Sequence, residues 1–279
     1  MIQAYAAAGA DEIQIVAQGQ SYSALRSFDF EGVRKAEQLC NEAGIALSVE
    51  MDRLFFSDET READEWMRFL SNVCCRISFM DPGLARLAKQ MHCLNEMIYT
   101  PLTLLTSDHD AAWWMAQGLY AVSVSPLLTK EETMRIVSKI PSMEVSVFGH
   151  QIMSVSRRPL LSDYAHTYHT EQMQNRKNLY LIEETRDQKM PIYESKLGTV
   201  IYTDYVLHSF AEIKAFADAG ADRFMMDSVF VSDACTLDAL KGYSAVLHGA
   251  DAQKEEEKFS LKHPDLLVSE GYYGKETVR

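Results

Sequence analysis

The chain has 279 residues, 47% of them hydrophobic, and a net charge of −13. That is enough apolar content for one large core, and it excludes both a mostly disordered chain and a protein coated in basic surface for wrapping nucleic acid. No apolar run approaches the roughly 20 residues that cross a bilayer, and the start lacks a secretory pattern, so a soluble, cytoplasmic protein with no membrane partner is expected.

In chain order, the first element is a helix, with Ala4, Ala7 and Ala8 favouring it and Gly9 suited to a left-handed cap. Asp11 and Glu12 then lead into an apolar strand at 13–16. The same unit of helix, glycine and strand recurs in AEQLCNEAGIALSVEMD, which gives a strand at 46–50. Strands follow at 76–79 and 96–100, and AAWWMAQGLYAVSVSP supplies another at 121–125. Thr129 and Glu132 form a capping box ahead of a helix, and a strand at 144–148 comes next.

Between 154 and 198 the alternation breaks into an insertion with two short strands, 179–183 and 191–195, of a length that marks a lid or a partner surface. A strand at 199–203 resumes the pattern. Ser209 and Glu212 read as a second capping box, opening a helix that stops at Gly220 in a repeat of the opening phrase AGAD. The last strand is 224–227, and residues 249–279 read as a polar, partly ordered tail.

Strands alternating with helices imply parallel pairing through right-handed crossovers. Eight such strands predict an α/β fold, a TIM-like (β/α)8 barrel over 1–248. The chain opens on a helix, so either the barrel is permuted or a first strand is missing.

In such a barrel the reactive residues gather where strands end. Gln18, Ser21 and Tyr22 follow the first strand; Glu50, Asp52, Asp81, Asp204 and Asp227 would share one mouth, where crowded carboxylates raise one another's pKa and leave an acid beside a base. An acid after a strand also caps the next helix, so each has two readings; Asp81 and Asp227 are the strongest candidates for more than a cap. VFGHQIMSVSRRPLLSDY carries Gly149, where backbone can approach a ligand, then His150, Ser154, Ser156, Arg157 and Arg158, with hydroxyls and guanidinium forks suited to phosphate or carboxylate. The bland reading has His150 bonding a loop backbone and Arg158 pairing with an acid. There is no GxSxG, P-loop or GxGxxG. Five scattered cysteines read as reduced, mostly buried thiols, and Trp66, Trp113 and Trp114 as core or interface.

The segments ALSVEMDRLFFSDE, SFMDPGLARLA, EVSVFGHQIMSVSRRPLLSDY and GTVIYTDYVLHSFAEIKAFADAGADRFMMDS together resemble the peptidase U32 family over roughly 1–248. The resemblance implies one of two activities, collagenase-like peptidase or oxygen-independent hydroxylation of RNA bases or ubiquinone precursors. Many hydroxylation relatives hold an iron–sulfur cluster through four cysteines; here Ile152 and Pro159 stand at two of those places, so no cluster and no other cofactor is expected. Gly149, His150, Met153, Ser156, Arg158 and Leu161 resemble a cluster-free branch, the smaller member of a pair needed for 5-hydroxylation of the tRNA wobble uridine through a prephenate-linked pathway.

Position at the strand ends and side-chain chemistry make His150, Asp227, Asp81 and Glu50 the expected catalytic residues, and Arg157, Arg158, Ser156, Gly149 and Asp204 the expected substrate-binding ones. The implied partners are a larger U32 homologue and tRNA, or a peptide substrate in the peptidase reading. A scaffold barrel that has lost its site is the third reading.

Overall fold

A computed structural model of the protein describes residues 1–23, 25–185 and 187–276. In chain order the elements are α1 (Ile2–Ala7), β1 (Glu12–Val16), α2 (Phe30–Ala43), β2 (Ala46–Met51), α3 (Thr60–Leu70), β3 (Arg76–Phe79), α4 (Pro82–Gln90), β4 (Met97–Tyr99), α5 (Asp108–Ala116), β5 (Ala121–Ser123) and α6 (Lys130–Val137). They continue with β6 (Met143–Ser156), α7 (Leu160–Tyr168), β7 (Leu179–Ile182), β8 (Lys189–Ser195), β9 (Gly198–His208), α8 (Ile213–Ala219), β10 (Arg223–Met226), α9 (Asp233–Leu247), α10 (Ala252–Lys262) and β11 (Val268–Ser269).

Strands β1 to β6 pair in sequence order, all parallel, and β10 adds in parallel to β6. The strands alternate side chains, and the alternation is chemical. Ile15, Leu47, Val49, Ile77, Phe79, Val122, Val145 and Val147 point outward into one core with α2 to α6, including Val33, Trp66, Met67, Leu84 and Ile136. Their neighbours Glu12, Gln14, Ser48, Glu50, Arg76, Ser78 and Glu144 are polar. They meet one another across the curled sheet, as in Arg76 to Glu12 (2.6 Å) and Ser78 to Thr100 (2.8 Å). The sheet therefore wraps a polar interior.

The curled α/β sheet agrees with the sequence reading; a closed ring of eight parallel strands does not follow from it. The segment 199–203 lies in β9, which runs antiparallel to β6, Ser156 opposite Thr199 and Phe148 opposite His208. β6 does not stop at Gly149 but continues to Ser156 as an arm, and the insertion, α7 included, returns the chain antiparallel beside it rather than through a parallel crossover. Among the described residues no pairing joins β10 to β1. Instead Arg223, first in β10, forks onto Glu12, first in β1, at 3.0 and 3.1 Å.

The two short insertion strands appear as β7 and β8, extending the arm as an antiparallel sheet. The segment read as a polar tail is folded: Phe259 of α10 is buried beside Phe148 and Phe210, Tyr273 donates to the Ser146 carbonyl at 2.8 Å, and β11 pairs with β9. The Thr129–Glu132 capping box is present. The one expected at Ser209–Glu212 is not; α8 begins after Glu212 without a side-chain cap, because the Ser209 N–H is held by the Tyr243 hydroxyl. Trp66 and Trp114 are buried, whereas Trp113 and Cys74 are exposed.

Candidate active site at the strand ends

Glu50 ends the polar row of β2, Asp52 follows that strand, and Asp227 follows β10. Curling of the sheet brings them together: Glu50 and Asp52 share a hydrogen bond, and the charges of Asp52 and Asp227 both act on Glu50. Gln14 of β1 donates to the Glu50 carboxyl. Ser21 also bonds Asp52, and the Ser23 hydroxyl donates to it at 3.3 Å. Asp227 is fixed by its N–H on the Phe148 carbonyl (2.9 Å), and its carboxyl accepts the Val229 N–H at 2.8 Å.

These three carboxyls have no cationic partner among the described ion pairs. The nearby Arg53, buried, is turned away onto Glu62 (3.0 Å) and Glu59 (3.7 Å), with its guanidinium over the Phe55 ring. Burial raises the pKa of Glu50 strongly, and the charges of Asp52 and Asp227 add to it. Burial also raises Asp52, against the hydrogen bonds it accepts, and lifts Asp227 to about 6, with the Asp52 charge contributing. Like charges in a low-dielectric mouth resist ionising together, so the cluster favours keeping a proton on one carboxyl as another ionises. That is an acid and a base at one place.

Gly149 explains how Asp227 is seated. Its φ is +117°, and a Cβ there would lie 2.4 Å from the Asp227 carbonyl oxygen. Only glycine permits this approach of β6 to the end of β10.

Over the carboxyls lies a second apolar cluster: Tyr22, Val200 and Tyr202, with Met80, Ile152, Val155, Leu197, Val229 and Phe230 packed on them. Tyr202 donates to the Ser23 carbonyl at 3.0 Å, and Tyr22 to that of Leu54 at 3.2 Å. Burial raises the Tyr202 pKa, and the charges of Asp227, Asp52 and Glu50 raise it further, so this hydroxyl stays protonated beside the carboxyls. The β6–β9 arm thus packs over one side of the mouth, with Glu50 and Asp227 left half-buried.

The remaining predicted residues sit elsewhere or are already engaged. His150 bonds the Thr203 carbonyl through Nδ1 at 2.8 Å; burial lowers its pKa, which favours the neutral ring. Asp204, on β9, is half-buried and acts on His150 by its charge. Asp81 caps α4: one oxygen accepts the Gly83 N–H (2.7 Å), the other the Phe55 N–H (2.9 Å). Arg157 forks onto Glu59 at 2.7 and 3.3 Å and lies 3.6 Å over the Phe56 ring. Ser156 accepts the Arg158 N–H, and Arg158 is exposed at the far end of the arm, so the structure does not join Arg158 to the Asp227 cluster. Ile152 belongs to the apolar lid, and Pro159 starts α7.

Tyr202, Ser23 and Gln14 are site residues that the sequence reading missed. Tyr202 reaches the mouth only because β9 runs antiparallel, and no local pattern announces that. Gln14 could have been found, since strict alternation in EIQIV puts it on the face of Glu12. Among the described residues no three His, Cys, Asp or Glu side chains are set to hold a metal ion, and no helix is long and apolar enough to cross a membrane.

A family model described as "Peptidase family U32" matches residues 1–273. The tRNA hydroxylation protein P2 of Bacillus subtilis (strain 168) is 24% identical over 271 residues, spanning 90% of this chain and 86% of that protein. The solved "Structure of the U32 Peptidase Mk0906" aligns with a TM-score of 0.48 at 14% identity, covering 79% of this chain and 86% of that one. With the family model spanning all but the last residues, the chain belongs to peptidase family U32.

Proposed function

We propose that the chain serves tRNA wobble-uridine hydroxylation as a cluster-free component acting with a larger U32 homologue. The observation that carries the proposal is the proton-sharing cluster of Glu50, Asp52 and Asp227 under Tyr202. Its likeness to the tRNA hydroxylation protein P2 selects RNA modification among the activities such a cluster could serve. In this reading the chain's own residues hold and move a proton at the reacting base, and the apolar lid excludes water while they do so. Asp227 is the base and Glu50 the proton reservoir. His150, neutral and fixed on Thr203, lines the approach; Gly149 and Asp204 shape the wall beside it, and Ser156, Arg157 and Arg158 meet substrate at the arm's tip. Asp81 holds the loop after β2 in place through Phe55. Ile152 and Pro159 offer no thiolate, so no step is assigned to an iron–sulfur cluster.

The test is mass spectrometry of tRNA from cells carrying Asp227→Asn in place of the native chain. Loss of the wobble hydroxyl at normal protein abundance is expected; unchanged hydroxylation ends the proposal. A second reading, hydrolysis of a peptide, draws on the same pair of coupled carboxyls, since two carboxyls sharing a proton also activate water. Cleavage of gelatin or casein that disappears with Asp227→Asn would favour it.

A further inference from the structure

Just ahead of Asp227 the register between β10 and β6 slips by one residue. Met225 lies opposite Ser146 and Met226 opposite Phe148, which leaves Val147 as an extra residue in β6 and brings the Asp227 N–H onto the Phe148 carbonyl at 2.9 Å. Bulges are rare between parallel strands, and beside active sites they re-aim a side chain at the cost of backbone groups that lose their ladder partners.

Two tyrosines from later in the chain take up those groups. Tyr243 of α9 donates to the Val147 carbonyl at 2.9 Å and accepts the Ser209 N–H at 2.8 Å. Val147 and Ser209 are the pair that would come next after Phe148 and His208 in the β6–β9 ladder, so this hydroxyl stands where a backbone bond would have run. Tyr273, which follows β11, donates to the adjacent Ser146 carbonyl at 2.8 Å. Both side chains are buried, Tyr243 stacked on Phe210 with ring centres 4.2 Å apart and Tyr273 edge-on to Phe216 at 4.9 Å, so packing holds each hydroxyl in place. The carbonyls of 146, 147 and 148 are thus held from three separate segments, and the third seats Asp227. Phenylalanines would fill the same space; the hydroxyls serve the bulge.

We infer that Tyr243 and Tyr273 are positioning residues for Asp227, their hydroxyls holding the β6 bulge in the register that presents its carboxyl to Glu50 and Asp52. The C-terminal segment is thereby part of the site. This rests on the reading that Asp227 is the working base.

The test titrates the full chain, isotopically labelled at its aspartate carboxyls, by NMR; the Asp227 signal is the one absent from Asp227→Asn. Without its hydroxyl donor a buried carbonyl is orphaned, the bulge can slip, and water reaches the carboxyl. Burial is what raises Asp227, so in Tyr243→Phe and in Tyr273→Phe its midpoint should fall by at least about half a pH unit. Trp114→Phe, a core trimming against Phe79 and Tyr99, should lower the melting temperature and leave that midpoint where it is. In cells, either tyrosine change should cut the wobble-hydroxylated fraction of tRNA at least about threefold at normal protein abundance. An unmoved midpoint overturns the inference for that tyrosine, as does unchanged hydroxylation where Asp227→Asn abolishes it. Should Tyr243→Phe fail to fold, Tyr273→Phe carries the test. A midpoint that falls, with hydroxylation indifferent to Asp227→Asn, supports the positioning and removes only the functional reading.

Discussion

Asp227 ends its strand with a pKa raised by burial from 3.8 to about 6, which has a measurable consequence for folding. The fold favours the protonated form, so the group costs nothing below pH ~4, and its cost grows between pH ~4 and about 6 and is fully present above that. Asp227→Asn removes that cost. The variant should match the native protein in melting temperature at pH ~4 and exceed it at pH ~8; equal melting temperatures at both would show the carboxyl to be unperturbed. At Gly149, an alanine would need a left-handed backbone and would push its Cβ into the Asp227 carbonyl. Gly149→Ala should lose about 2 to 4 kcal/mol in urea unfolding. Glu50, Asp52 and Asp227 were legible because each lies at the end of a strand or just after one, and parallel pairing alone fixes which end they share; Gly149 was legible as the glycine where the parallel pairing of β6 gives out. Arg158 was misplaced for the opposite reason: it lies beyond the point where β6 leaves the parallel sheet.

The β6–β9 arm is where local pattern ran out. GTVIYTDYVLH has the apolar content of a strand whichever way it runs, so its direction depends on the insertion before it. The insertion is tied together by Glu194, wholly buried on β8. This carboxylate accepts the Leu161 N–H at 2.7 Å and the Ser162 N–H at 3.3 Å, with the hydroxyls of Ser162 and Thr199. It caps α7 from outside, since Pro159 at that helix start supplies no side-chain cap. Glu194→Ala would leave those N–H groups without their acceptor, at about 2 kcal/mol. Limited proteolysis should then cut within 157–198 first while β1 to β5 stay protected. Uniform cleavage along the chain would show that the arm is not a separate unit. Helices flanked by local signals, by contrast, were readable, because Thr129 with Glu132, and Gly44 and Gly220 as left-handed caps, act within a few residues of themselves; α7 and α10, in the segments read as insertion and tail, were not.

At the scale of the molecule, the curled sheet is held at its open side by charge rather than by a strand ladder. Glu12 accepts Arg223 from β10 and Arg76 from β3, and Arg223 also reaches Glu144 of β6 at 3.4 Å. Burial alone would raise the Glu12 pKa; the hydrogen bonds and charge of Arg223, with Ser48 and Arg76, outweigh it and hold the carboxyl below its ordinary value. A depressed carboxylate stabilises the fold above its unfolded pKa, and that contribution is lost as pH falls through the folded one. Arg223→Met should therefore cost about 3 kcal/mol at pH ~7, because it leaves Glu12 with Arg76 alone and takes from buried Glu144 its one cation among the described ion pairs, and the cost should shrink as the solution is acidified. Glu12→Gln with Arg223→Met should be less destabilised than the two single changes added together, by about 1 to 3 kcal/mol of coupling. Strict additivity in that cycle, measured by urea unfolding, would mean that Arg223 and Glu12 only lie near each other and that packing of α1 and α9 around the open side does the holding.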